Sequence, residues 1–201
     1  MPNNFLEIET KYEADNIDRL KFKELVNNLN PKNFVYIEST DVYYVKGKDE
    51  FLRYRKSADN LKDKRAELTF KKKHSSSNNI VRTEVNLRVD SNKPETVDAF
   101  SQGLGYTQNF SVIKYCDIYN FHEVTLVYYI VKDVDIGKYS KFIEIEVSEE
   151  LNLEEPEAWE IIKRYEGILA PLGISAQKRK RKSLFELYRK EAKDESGKTT
   201  D

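Results

Sequence analysis

The chain reads as an α+β protein, with about eight antiparallel strands and helices packed on their outer side. Three observations carry this. Segments that alternate charged and apolar residues at a period of two recur along the chain, as in strands with two unlike faces. Tyr (13) and Phe (10) are plentiful, which suits strands. Helical spacing and cap residues occur only in a few stretches between or after the alternating ones.

In order, a strand is expected over about 4–13. Asp15 or Asn16 then caps a helix to about 29, with Ile17, Leu20, Leu25 and Leu29 on its buried side, and Asn30-Pro31 ends it. A strand over 34–46 turns at Gly47-Lys48-Asp49 into another over 50–56. The polar turn 57–64 leads to strands over 65–73 and 80–90, split by the loop His74-Ser-Ser-Ser-Asn-Asn79. Pro94 opens a helix over 94–102 that Gly103 stops. Strands follow over 106–121, where a break is allowed for, then 122–132 and 139–148. Glu154 to Leu169 is a helix with Trp159, Ile162, Tyr165 and Leu169 along one side. A last helix is expected over 180–192, and 193–201 reads as a disordered tail. No repeat or linker divides residues 1–192, which read as one domain.

At 201 residues the chain can bury a real core. A formal net charge of -1, from 34 basic and 35 acidic residues, gives no global field for nucleic acid. One cysteine, Cys116, excludes an internal disulfide and a cysteine cage for zinc, and two histidines, His74 and His122, exclude a histidine-rich site. A metal would therefore have oxygen ligands, which favours Mg or Mn. No basic, apolar leader is expected at Met1-Pro2-Asn3-Asn4, and no run approaches the roughly 20 apolar residues of a membrane span. A cytoplasmic protein with no membrane partner is the expectation.

The charged faces are the candidate site. Glu7, Glu9 and Lys11 share one face of the first strand; Phe51, Arg53 and Arg55 share one face of another. Glu67, Thr69, Lys71 and Lys73 do the same, as do Arg82, Glu84, Asn86 and Arg88, and Glu144 and Glu146. Carboxylates at i, i+2 repel unless something positive lies between them, and a divalent metal would serve. Two architectures fit: a sheet with its charged faces in solvent, or a closed barrel with those faces inside and helices over its apolar exterior.

Glu7-Ile-Glu-Thr-Lys11, the tyrosines of Asp41-Val-Tyr-Tyr44, Leu52-Arg-Tyr-Arg55, Leu68-Thr-Phe-Lys71, Arg82-Thr-Glu84, Phe142-Ile-Glu-Ile-Glu146 and Lys182-Ser-Leu-Phe-Glu-Leu187 follow in an order that resembles the CYTH superfamily. These triphosphate tunnel metalloenzymes include class IV adenylate cyclases, thiamine triphosphatases, tripolyphosphatases and fungal-type RNA triphosphatases. The resemblance implies a closed eight-stranded antiparallel barrel, a tunnel, that binds a triphosphate with Mg or Mn. It implies Glu7, Glu9, Glu144 and Glu146 as metal ligands, and Lys11, Glu84 and Lys114 as catalytic groups. Lys11, Arg53, Arg55, Lys71, Lys73, Arg82 and Lys114 would grip phosphate oxygens. Several cations, with bidentate arginines among them, suit a triphosphate of about four negative charges.

Departures stand beside the match. Cys116 occupies a place where the family has arginine, Tyr129 the nearest place to a family aspartate, and Asn86 a place where glutamate is frequent; Asp133 or Asp135 could replace the aspartate only through a register shift. Cys116, without a histidine partner, reads as a wall or core residue, and Trp159 as core. His74 reads as an exposed loop residue, and His122 shows no partner. One tyrosine of each pair 43–44 and 128–129 must face the tunnel.

The expected function is metal-dependent hydrolysis of a small-molecule triphosphate or nucleotide. Class IV adenylate cyclase activity is one alternative, and a tunnel that binds a phosphorylated ligand without turnover is another. An RNA 5′ end is a further partner, suggested by the basic run Lys178-Arg-Lys-Arg-Lys182. A homodimer is compatible with this reading.

Overall fold

The structure is a computed structural model that describes residues 6–47, 50–59, 64–73, 81–89, 93–151, 153–180 and 182–190. In β1 (Leu6–Glu13) the alternation folds as expected: Glu7 and Lys11 are buried on one face, and Ile8, Thr10 and Tyr12 on the other. Seven more strands follow: β2 (Asn33–Val45), β3 (Glu50–Asp59), β4 (Lys64–Lys73), β5 (Val81–Arg88), β6 (Thr107–Asn120), β7 (Val124–Asp133) and β8 (Tyr139–Val147). They pair in the order β5-β4-β3-β2-β6-β7-β8-β1, and β1 pairs again with β5, which closes an antiparallel barrel. The register sets Glu9 opposite Glu146, Lys11 opposite Glu144, and Lys71 opposite Glu84. A short β9 (Arg179–Lys180) covers β1 at Lys11 and Tyr12, beyond the residues that β5 reaches.

The helices cover the apolar exterior. α1 (Arg19–Asn27) and α3 (Glu155–Leu169) enclose a core with Tyr12, Phe22, Val26, Leu126, Tyr128, Ile143, Ile145, Ile162 and Leu169. α2 (Pro94–Gly103) brings Val97 to Tyr44, Leu52, Tyr54 and Leu68 on the outside of β2, β3 and β4. A third cluster fills one end of the barrel's interior, where Phe185 of α4 (Leu184–Tyr188) stacks on Phe51 at 4.5 Å and Tyr43 on Phe110 at 4.4 Å. Among the described residues no helix is long and apolar enough to cross a membrane.

Two expectations need correction, and one left open is decided. The first helix is capped by Asp18, which accepts from the Leu20 and Lys21 N–H groups, whereas Asp15 accepts from Lys141 N–H. Phe22 and Val26 are buried, Ile17, Leu25 and Leu29 pack half-buried against the same core as expected, and Leu20 is turned out, 72% exposed. The last helix is only α4, because Arg179 and Lys180 are drawn into pairing with β1 and the Ser183/Glu186 capping box starts the helix afresh. β6 runs unbroken, and the irregularity lies in its register with β2 at Tyr43/Tyr44. Trp159 is half-buried against the α1/α3 core, with the Arg179 guanidinium 4.6 Å from its ring. His74 and residues 193–201 lie outside the described residues.

Candidate active site

Because the charged side chains on β1, β3, β4, β5 and β8 point inward, they meet in one cavity of about 240 Å³. Six cations (Lys11, Arg53, Arg55, Lys71, Arg82, Lys114) and six acids (Glu7, Glu9, Glu67, Glu84, Glu144, Glu146) line it. Tyr43, Cys116, Ile118 and Val127 complete one wall, and Phe51, Leu184 and Phe185 stand at the end occupied by α4. Of the twelve residues expected at the site, only Lys73 is not part of the lining; its ammonium lies 3.7 Å from Glu186 of α4. Tyr43 and Tyr129 face inward, while Tyr44 and Tyr128 pack outside the barrel, as the paired tyrosines required.

The interior charges are laced together. Lys71 lies 2.6 Å from both Glu7 and Glu84. Arg82 reaches Glu9 at 3.0 Å and Lys11 reaches Glu144 at 3.2 Å. Arg53 donates to Thr69 Oγ1 at 3.0 Å and approaches Glu67 and Glu84 at 3.6 and 3.8 Å. The Arg55 fork takes both oxygens of fully buried Asp41, at 2.7 and 2.6 Å. Tyr129 donates to Glu144 at 2.6 Å. Among the described residues neither Lys114 nor Glu146 has an ion-pair partner within 4.0 Å.

This arrangement pulls the acids apart in proton affinity. Burial raises the Asp41 carboxyl, but Arg55 outweighs it and holds the group well below the usual carboxylate range. Glu144 is likewise pushed up by burial and brought down to about 2 by Lys11, Lys114 and the Tyr129 hydroxyl. Glu146 is raised to about 8, first by burial and then by the nearby Glu9 charge. Burial and Glu9 also raise Glu7, whereas Glu84, buried but held by Lys71 and Arg53, stays low. Lys114 is lowered, chiefly by burial.

In kind, the donors fit a hard divalent cation. All are carboxylates, and their mutual repulsion, expressed in the raised Glu146 and Glu7, is what such an ion relieves. No three acids already converge as a ligand set among the described residues, because Glu7, Glu9, Glu84 and Glu144 are each turned toward a lysine or arginine.

Sequence reasoning missed Asp41, Glu67 and the α4 end. Asp41 sits two residues from inward-facing Tyr43, so the period of two could have found it, and Glu67 was already on the charged face of its strand. Leu184 and Phe185 carry no such signal, since a helix in isolation does not reveal what it closes. The basic run at 178–180 is partly engaged: Arg179 pairs with Glu166, and Lys180 with Glu13 at 2.6 Å.

Comparison with known proteins agrees with this architecture. No curated protein matches the chain. Among solved structures, a conserved hypothetical protein from Pyrococcus furiosus is 29% identical, with a TM-score of 0.69 over 90% of this chain and 99% of its own. The PH1012 protein from Pyrococcus horikoshii is 25% identical, with a TM-score of 0.72 over 91% of this chain and 99% of its own. The PH1819 protein from the same organism is 26% identical, with a TM-score of 0.65 over 90% of this chain and 97% of its own. The CYTH domain family model matches residues 6–180, nearly the whole barrel with its β9 strand, and the chain therefore belongs to the CYTH domain family.

Proposed function

We propose that this protein is a divalent-cation-dependent enzyme that hydrolyses a triphosphate-containing small molecule inside the tunnel. The observation that carries this is the charge balance of the lining. Six cations face six acids, and Asp41 behind Arg55 brings the formal sum to one net negative charge, which the proton that Glu146 keeps near neutral pH brings to about zero. A triphosphate adds about four more negative charges. Among side chains this buried, that is unfavourable unless cations accompany it. The lining is therefore suited to a polyphosphate that arrives with divalent metal rather than to a free anion.

In this reading Arg53, Lys71, Arg82 and Lys114 take phosphate oxygens, and Arg55 adds the part of its fork that Asp41 does not use. Glu9, Glu144 and Glu146, with Glu7 beside them, would hold Mg or Mn. When bound, the ion supplies neutralisation of charge on the transferred phosphoryl group. Lys11, held by Glu144, would add a further cation to the phosphates, and Glu84 orients Lys71 and Arg53.

Incubation with tripolyphosphate, nucleoside triphosphates and thiamine triphosphate, each with Mg or Mn, tests the proposal. Release of phosphate or pyrophosphate above a Glu9→Gln control supports hydrolysis; cyclic AMP with pyrophosphate would instead make it a cyclase. No product from any substrate would overturn turnover. A second reading, binding without turnover, is favoured by one observation: Tyr129, with its proton held firmly by burial, occupies an inward-facing position behind the lining where an acid was expected. Tight calorimetric binding without product would establish it.

A further inference from the structure

Five of the six lining cations are paired with a carboxylate. Among the described residues Lys114 is the exception: what its ammonium meets is the Tyr129 ring, 4.2 Å from the centroid. Tyr129 is fully buried, between Cys116 on β6 and Phe142 on β8, and its ring lies 5.4 Å from that of Phe142. Its other end is equally committed. The hydroxyl donates to Glu144 Oε1 at 2.6 Å, and the Lys11 ammonium reaches the same oxygen at 3.2 Å. Among the described residues Glu144 Oε2 has no hydrogen-bond partner.

We propose that Tyr129 is a positioning residue that presents two groups to the ligands, the Lys114 ammonium to a phosphate and the free Glu144 oxygen to a divalent cation. The inference rests on the triphosphate reading above. A ring face attracts an ammonium through its quadrupole yet leaves the charge uncancelled. A carboxylate at 129 would instead pair with Lys114 and repel Glu144, and the Lys114 charge would be cancelled like those of the other five lining cations. The phenol also fixes Glu144 through a single oxygen, as a second, supporting partner does for a ligand carboxylate. The replacement of an expected acid by tyrosine thus shifts the site toward anion capture.

The test is calorimetry with two probes, Mn²⁺ alone and inorganic tripolyphosphate at saturating Mn²⁺, on Tyr129→Phe, Tyr129→Leu and Tyr129→Asp, each checked for folding by thermal melting. Tyr129→Phe keeps the ring and loses the hydroxyl. It should weaken Mn²⁺ binding about 3- to 10-fold and leave tripolyphosphate binding nearly unchanged. Tyr129→Leu should also weaken tripolyphosphate binding, by about 2- to 30-fold, the range of a cation–π contact. Tyr129→Asp should weaken it further than Leu does, an ordering that lost packing alone would not give. If Tyr129→Leu fails to fold, the Phe and Asp variants still decide. The role is overturned if Tyr129→Phe leaves Mn²⁺ binding unchanged, or if Tyr129→Asp binds tripolyphosphate as well as the wild-type protein. A wild-type protein that binds no tripolyphosphate would overturn the ligand class itself, and this role with it.

Discussion

The Asp41–Arg55 pair allows a quantitative test of how the tunnel wall is held. Asp41 has no exposed surface and gives both oxygens to Arg55, whose side chain is 24% exposed. Removal of one partner from a buried pair costs about 3–5 kcal/mol, because the other charge stays buried and unsatisfied. Arg55→Met, which strands the fully buried carboxylate, should lie at the upper end, and Asp41→Leu, which strands a partly solvated guanidinium, at the lower end. For a chain of this size that is a fall of about 6–20 °C in melting temperature. The double variant removes both charges and should recover much of the loss, with a coupling of about 2 kcal/mol or more in the cycle. The pH dependence carries a sign. The folded Asp41 carboxyl lies below its unfolded value, so its contribution is full above the usual carboxylate range and is lost as pH falls through the folded value. The wild-type advantage over the double variant should therefore shrink below about pH 4. Denaturant melts at pH 7 and pH 3 read all four proteins; single variants within about 1 kcal/mol of wild type, or strictly additive losses, would refute the argument.

Three further outcomes are expected. Chelation with EDTA should weaken tripolyphosphate binding by more than tenfold, a loss above about 1.4 kcal/mol, since the acids of the lining offset its cations and leave no net positive charge for the anion; equal calorimetric affinity with and without Mg²⁺ would contradict that. Tyr12→Phe removes a buried hydroxyl that donates to Glu166 at 2.5 Å and should cost about 1.5–3 kcal/mol in denaturant melts, with an unchanged midpoint counting against it. Phe22→Ala should cost about 3–5 kcal/mol while Leu20→Ala stays within about 0.5, and a reversed order would show that the helix presents the opposite face.

The strands were legible because their chemistry is periodic. Glu7, Glu9 and Lys11 can share a face only in an extended chain, and the same rule placed Arg53, Arg55, Lys71, Glu84, Glu144 and Glu146 together. Local pattern did not say whether those faces met solvent or one another; the ordered motifs of the family did, and the β1–β5 pairing shows it. Helix phase was less legible: Ile17, Leu25 and Leu29 reach the core, but Leu20, in the first turn after the Asp18 cap, points out, and Phe22 and Val26 carry the fully buried face. The C-terminal segment was misread because its helical composition competes with β1 for Arg179 and Lys180, a contest decided by tertiary pairing. Asp41 was legible in principle, since the period of two puts it on the face of Tyr43 and the turn at 47–49 sets it opposite Arg55, but a lone acid outside the charged runs was not followed across the hairpin.

The same contacts that make a charged interior foldable determine how it must bind. Lys71 is shared by Glu7 and Glu84, Arg82 is held by Glu9, and Lys11 by Glu144. A phosphate oxygen that takes Lys71 or Arg82 displaces a carboxylate, and a buried carboxylate without a partner is costly. A divalent cation that takes the displaced carboxylate offsets that cost, and the freed ammonium or guanidinium is in turn stabilised by the phosphate. Anion and cation binding are then linked through one set of exchanged partners. Linkage requires the factor by which Mn²⁺ tightens tripolyphosphate to equal the factor by which tripolyphosphate tightens Mn²⁺. Exchange further requires that factor to collapse when Glu9→Gln removes the charge that Arg82 would release. Titration in both orders measures it, and a factor that survives in Glu9→Gln would place the coupling elsewhere than in these ion pairs.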